Sequence, residues 1–173
     1  MDDESANTPT GELEPRAPTQ ADLVALCRRL NELGAKYLVV GGFAVIRAGY
    51  PRFTGDIDLV IGAGSENEAR VYQALEIFAD KAVRELDPGD VEKYTVVRVV
   101  DEVLVGLMQS ACGIDFAEAS KHIEISEVDG VPIPFASPLL LWRMKKPANR
   151  EKDIPDLRFL HRLLSSRGIT PPE

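Results

Sequence analysis

Residues 56–61, Asp-Ile-Asp-Leu-Val-Ile, constrain this chain more than any other stretch. The apolar residues form a run suited to a buried β-strand. Residues i and i+2 of a strand point to the same face, so the carboxylates of Asp56 and Asp58 stand side by side. They repel each other unless a cation lies between them. The strand needs a sheet to cover its apolar residues and a positive partner for its acids.

The flanking sequence supplies the other elements. Thr19 is placed to cap a helix whose apolar residues Leu23, Leu26, Cys27, Leu30 and Leu33 recur at three and four, with Gly34 as its stop. A strand over 36–40 follows, then Gly41 and Gly42 turn the chain into a short helix over 43–48. After the strand at 56–61, Ser65 and Glu68 form a capping-box pattern that opens a helix to about Ala79, and DPGD at 87–90 reads as a turn. YTVVRVV and VLVGLM meet at Asp101 and Glu102 as one hairpin; HIEISEV and VPIPF meet at Asp129-Gly130 as another. Ser137 and Pro138 open a helix through Lys146, and a second runs from Arg150 to Ser165 beyond Pro147. This order predicts an α/β fold with a mixed sheet and helices on at least one face. Residues 1–18 read as a disordered acidic tail, 19–168 as one domain and 169–173 as a short tail.

Composition narrows the function. A net charge of −8 and a pI near 4.9 argue against a broad nucleic-acid-binding surface, which needs clustered Lys and Arg. Cys27 and Cys112 have no metal-type spacing and read as two small core residues of a protein in the reducing cytoplasm. The most apolar stretch, YLVVGGFAVI, is interrupted by glycines and shorter than the ~20 residues of a membrane span.

Chemistry concentrates between residues 41 and 58. A glycine pair between a strand and a helix lets backbone approach a ligand closely, and the helix start offers N–H groups to phosphate. Paired acids such as Asp56 and Asp58 suit a hard cation, Mg²⁺ or Mn²⁺, whose other ligands are waters and phosphate oxygens. The glycine pair also suits a plain tight turn, and the acids a solvated strand end.

In combination, Gly-Gly, a spacer and Asp-Ile-Asp-Leu resemble the signature of the polymerase-beta-type nucleotidyltransferase superfamily. The likeness extends to an uncharacterised nucleotidyltransferase-like branch related to the abortive-infection toxins, on GGFAVIRAGYPRFTGDIDL, GIDFAEA at 113–119 and KKPANREKDIPD at 145–156. The resemblance implies that Gly41 and Gly42 cradle the triphosphate of a nucleotide substrate and that Asp56 and Asp58 are catalytic metal ligands. It places Arg52 and Thr54 beside the phosphates or sugar and brings Lys145 to the phosphates from the C-terminal helices. Asp153 and Asp156 share a helix face and are placed to orient Arg150 or Lys145.

One part of the pattern is absent. Superfamily members carry a third carboxylate on a neighbouring strand, and counting back from Gly113 puts Gly106 at that position. Asp115, in Ile-Asp-Phe, is the remaining candidate for a further metal ligand. Three functions follow as expectations. The first is a Mg²⁺-dependent nucleotidyltransferase acting on an unknown acceptor, whether small molecule, protein or tRNA end. The second is a nucleotide-binding regulatory or interaction module that has lost catalysis through Gly106. The third is the toxin of a toxin–antitoxin pair, which the acidic surface disfavours.

Overall fold

The computed structural model describes residues 14–173; most of the expected 1–18 tail, residues 1–13, lies outside the described residues. Residues 14–18 are tied to the domain. The Arg16 backbone N–H donates to the Glu102 carbonyl (3.0 Å), and its guanidinium donates to Asp22 (2.7 and 2.9 Å). That hydrogen-bonded cation holds the Asp22 carboxyl down at about 2.

Seven α-helices are present among the described residues: α1 (Gln20–Glu32), α2 (Gly41–Ala48), α3 (Ser65–Leu75), α4 (Asp90–Lys93), α5 (Phe116–Ala119), α6 (Pro138–Lys145) and α7 (Ile154–Ser166). The strands are β1 (Tyr37–Val40), β2 (Asp56–Ile61), β3 (Val97–Val100), β4 (Leu104–Met108), β5 (Ser110–Ala111), β6 (Ile114–Asp115), β7 (Ile123–Val128) and β8 (Val131–Ala136). Six of them form one mixed sheet in the order β3-β4-β2-β1-β8-β7, and β5 with β6 makes a separate ribbon. β2 runs antiparallel to β1 and parallel to β4. Ile57, Leu59, Val60 and Ile61 are all fully buried, so β2 is covered on both faces. Helix α1 packs on α3 and β8, whereas α2 packs on β1, β2 and α6, with α7 against α6.

Several local expectations meet the structure directly. Thr19 caps α1 in a reciprocal box with Asp22. The β7–β8 turn puts Asp129 and Gly130 at φ 50° and 80°, the left-handed pair that a two-residue hairpin turn needs. The Ser65–Glu68 box does not form. Gly64 is the N-cap of α3, and the buried Glu68 carboxylate accepts instead from the backbone of Gly89 (2.7 Å) and Val91 (3.2 Å), fastening the turn before α4. The helix also stops at Leu75 rather than near Ala79. Cys27 is buried as expected, but Cys112 is exposed and donates to the Met144 carbonyl.

Asn67 fixes the base of the sheet. Its side chain accepts from Lys36 N–H (2.7 Å) and donates to the carbonyls of Lys36 (3.0 Å) and Gly62 (2.9 Å), joining α3 to the chain segments flanking β1 and β2. Asn67→Ala is expected to cost about 3 kcal/mol, because backbone groups lose their partners in a site that water reaches poorly. Urea unfolding with an unchanged m-value measures it.

Candidate functional site

Strand β2 presents Asp56 and Asp58 to a cavity of about 670 Å³ that also meets α2, β3, β4 and the α6–α7 connection. The two acids share one face, as their spacing requires. Asp58 lies between two glycines on adjoining chain segments. A Cβ on Gly106, its register partner on β4, would stand 2.6 Å from Asp58 Oδ1, and one on Gly41 would collide with Oδ2. Both glycines exist in a form that lets this carboxylate lie against backbone. No described residue donates a hydrogen bond to its oxygens by side chain or backbone. Burial, and then the charge of Asp56, push the Asp58 carboxyl up to about 7, with Arg98 and Lys145 pulling less strongly the other way.

The glycine pair opens α2. Gly41 adopts φ 69°, a conformation glycine reaches without strain. The sequence assigned the pair's missing side chains to a triphosphate, but the room they leave is filled from within the protein. Asp58 lies over Gly41, and the Thr54 side chain lies over Gly42, with Arg52 Nη1 3.2 Å from a Cβ built there. A serine at position 42 therefore meets Thr54. What the pair leaves for a ligand is the first turn of α2 at the cavity wall.

The cations expected at the phosphates are already paired. Lys145, on the last turn of α6, reaches Asp153 Oδ1 (3.3 Å) and Asp156 Oδ2 (3.4 Å). Arg52 donates from Nη2 to Asp156 Oδ2 (2.8 Å) and from Nη1 to the Phe53 carbonyl (2.7 Å). Its Nε lies 2.8 Å from Asp156 Oδ1 but too poorly aligned for a hydrogen bond. Arg150 donates to Asp153 Oδ2 (2.8 Å). Two buried aspartates thus hold three cations in a row along the cavity wall, the orienting role the 153/156 spacing suggested. α6 ends at Lys145, just ahead of Pro147, where the proline is expected to interrupt it.

Asp115 stands apart from this group. It caps α5 by accepting from Glu118 N–H (2.9 Å) and lines a different hollow beside Lys36 and Phe116. The structure does not bring it to the cavity of Asp56 and Asp58 as a third metal ligand. Among the described residues no cluster of three or more His, Cys, Asp or Glu is arranged to hold a metal. The pair Asp56 and Asp58 suits an ion that accepts one or two carboxylates and keeps its waters, which is the habit of Mg²⁺. A half-buried carboxylate to which no described residue donates a hydrogen bond, raised in pKa by desolvation and then by the charge of Asp56, is a donor set that such a cation would relieve.

Sequence reading missed Arg98. Its backbone pairs with Gly106 on β4, and its guanidinium lies 3.8 Å from Asp56 Oδ2. The alternation of β3 hinted at it, since Val97 and Val99 are buried while Arg98 is exposed, but the register that carries it to the acids is not written in the sequence.

Comparison with solved structures gives the same fold. ANT(2″)-Ia in complex with adenylyl-2″-tobramycin superposes with a TM-score of 0.56 at 19% identity, covering 87% of this chain and 92% of that one. An antigenic nucleotidyltransferase-like protein from Paracoccidioides brasiliensis superposes at 0.50 and 20% identity, over 86% and 78%. A solution structure of ANT(2″)-Ia gives 0.50 at 15% identity, over 86% and 88%. No family model and no curated protein sequence matches the chain. At these identities the likeness is one of architecture: the chain has the nucleotidyltransferase fold.

Proposed function

We propose that this protein binds a nucleoside triphosphate together with Mg²⁺ or Mn²⁺ over Asp56 and Asp58 and transfers its nucleoside monophosphate to an acceptor. The observation that carries the reading is the Asp58 carboxylate, clasped by Gly41 and Gly106 without a hydrogen-bond donor and facing a cavity large enough for a nucleotide. An acceptor hydroxyl or amine forms a bond to the α-phosphorus. The bond from that phosphorus to the bridging oxygen breaks, its electrons leave with pyrophosphate, and the acceptor proton passes to solvent. Asp56 and Asp58 hold the cation, which when bound supplies Lewis-acid neutralisation of phosphate charge. Arg52 and Lys145, fixed by Asp156, keep a positive wall beside the polyphosphate without having to reorganise. ANT(2″)-Ia, with an adenylylated product in its structure, supports a hydroxyl-bearing small molecule as one acceptor class. The reading places the protein in the cytoplasm, where nucleoside triphosphates are held.

Gly106 favours a second reading. With no acid on β4, no positioned base takes the acceptor proton, which is typically worth ~10²- to 10⁴-fold in rate. The protein would then be a nucleotide-binding regulatory or interaction module. Incubation with ATP or CTP labelled at either the α- or the γ-phosphate, with Mg²⁺ and candidate acceptors, separates the two. The transferase reading expects label in product from the α-position alone and released pyrophosphate. Binding without label transfer to any acceptor class supports the module.

A further inference from the structure

The acid pair is one half of a transverse row that crosses three strands. Asp58 on β2 is in register with Gly106 on β4, and Gly106 is in register with Arg98 on β3. In-register residues of neighbouring strands share a face, so Asp58, Gly106 and Arg98 point into the same cavity. Because Gly106 has no side chain, Asp58 lies against it, and from the strand beyond it the Arg98 guanidinium comes within 3.8 Å of Asp56 Oδ2.

At that distance Arg98 is an ion-pair partner of Asp56 but not a hydrogen-bond donor to it. To the described residues the Arg98 guanidinium donates no hydrogen bond, and its side chain is 58% exposed. Three other cations of the wall differ. Lys145, Arg52 and Arg150 are bound to Asp153 and Asp156; Lys152, exposed on the 3₁₀ turn leading into α7, has no ion-pair partner among the described residues, and Arg98 is the cation paired with Asp56. Arg98 therefore keeps its guanidinium donors in hand directly beside the carboxylates. A planar fork of this kind recognises phosphate oxygens in pairs.

We propose that Arg98 is a further phosphate-binding cation of this site, one that uses free guanidinium donors to grip the triphosphate beside the metal-bearing pair. The proposal rests on the nucleotide-binding reading above and adds a residue to it. The glycine at 106 contributes by making room for Asp58, which any side chain there would displace.

The geometry makes a two-signed expectation. A positive charge next to Asp56 opposes a free cation but attracts a polyphosphate. Arg98→Ala should therefore tighten binding of Mn²⁺ alone, by about threefold to tenfold for one partly screened unit charge. The same substitution should weaken ATP binding in saturating Mn²⁺ at least about tenfold, the loss of one charge-assisted hydrogen bond. Arg98→Lys, which keeps the charge and loses the fork, should leave Mn²⁺ binding unchanged and fall between the other two for ATP. Free Mn²⁺ is read by electron paramagnetic resonance and ATP binding by calorimetry on the full chain. Weakening of both ligands by Arg98→Ala would make Arg98 a scaffold residue and overturn the proposal. So would unchanged ATP binding, which would leave Arg98 as a counter-ion of Asp56 only. If the unsubstituted protein binds no ATP with Mn²⁺, the nucleotide reading itself falls and the proposal with it, an outcome visible before any variant is made.

Discussion

Asp58→Asn is expected to raise the melting temperature of the ligand-free protein at pH 8 and to abolish stabilisation by a nucleoside triphosphate with Mg²⁺. The two effects have one cause. The Asp58 carboxyl titrates at about 3.8 when unfolded and at about 7 in the fold, because it is buried beside Asp56. Between those values the folded state binds more protons than the unfolded state, so stability falls as pH rises through that window. Below about pH 4 the group is protonated in both states and contributes nothing. Above pH 7 the cost is complete, at most about 4 kcal/mol for a shift of this size. Asparagine carries no charge, though its own amide is left short of partners. The net gain is of the order of 2–3 kcal/mol, or about 5–10 °C for a domain of this length. Melting curves of both proteins from pH 4 to 8 test it: they should converge at the acid end and separate steadily above it. A Tm difference that stays constant with pH would show that Asp58 is not the group under strain.

The second large effect belongs to Gly41. Gly41→Ala places a side chain at φ 69°, which costs roughly 1–2 kcal/mol, and drives its Cβ into Asp58 Oδ2. About 3 kcal/mol of destabilisation is expected, with loss of nucleotide binding as Asp58 is pushed out of place. Gly34 supplies the internal control. It has nearly the same φ, 70°, with no atom within 4 Å of a built Cβ, so Gly34→Ala carries the backbone term alone. The excess cost of Gly41→Ala over Gly34→Ala, by urea unfolding, measures how tightly Asp58 is clasped. Equal costs would mean that the carboxylate is free to swing aside.

These two residues also show how far the sequence could be read. Strand 56–61 was legible in full, because apolar β-formers around acids at i and i+2 leave one workable orientation. The Asp129-Gly130 turn was legible for a similar reason, since few residue pairs tolerate two left-handed conformations in succession. Gly106 was reached by counting back from Gly113, and the register set it beside Asp58. The reading failed where a side chain is used by a distant part of the chain. Ser65 and Glu68 match a local capping pattern, yet the Glu68 carboxylate serves N–H groups more than twenty residues on. The glycine pair lines the cavity as expected, but the use its missing side chains serve within the protein, making room for Asp58 and Thr54, was not legible. Arg98 could be read as exposed but not placed beside Asp56, because that approach depends on register across three strands.

The central claim is that Asp56 and Asp58 form the seat of a cation that carries a nucleotide. Its most direct measurement is the melting temperature in Mg²⁺ with and without each nucleoside triphosphate, for the unsubstituted chain and for Asp56→Asn. At a ligand concentration about a hundredfold above Kd, binding adds about 2.7 kcal/mol, or roughly 5–10 °C here. The account predicts such a rise with at least one nucleotide, dependent on Mg²⁺ or Mn²⁺ and lost in Asp56→Asn. No rise with any of the four nucleotides, or a rise that survives removal of the Asp56 charge, would contradict it.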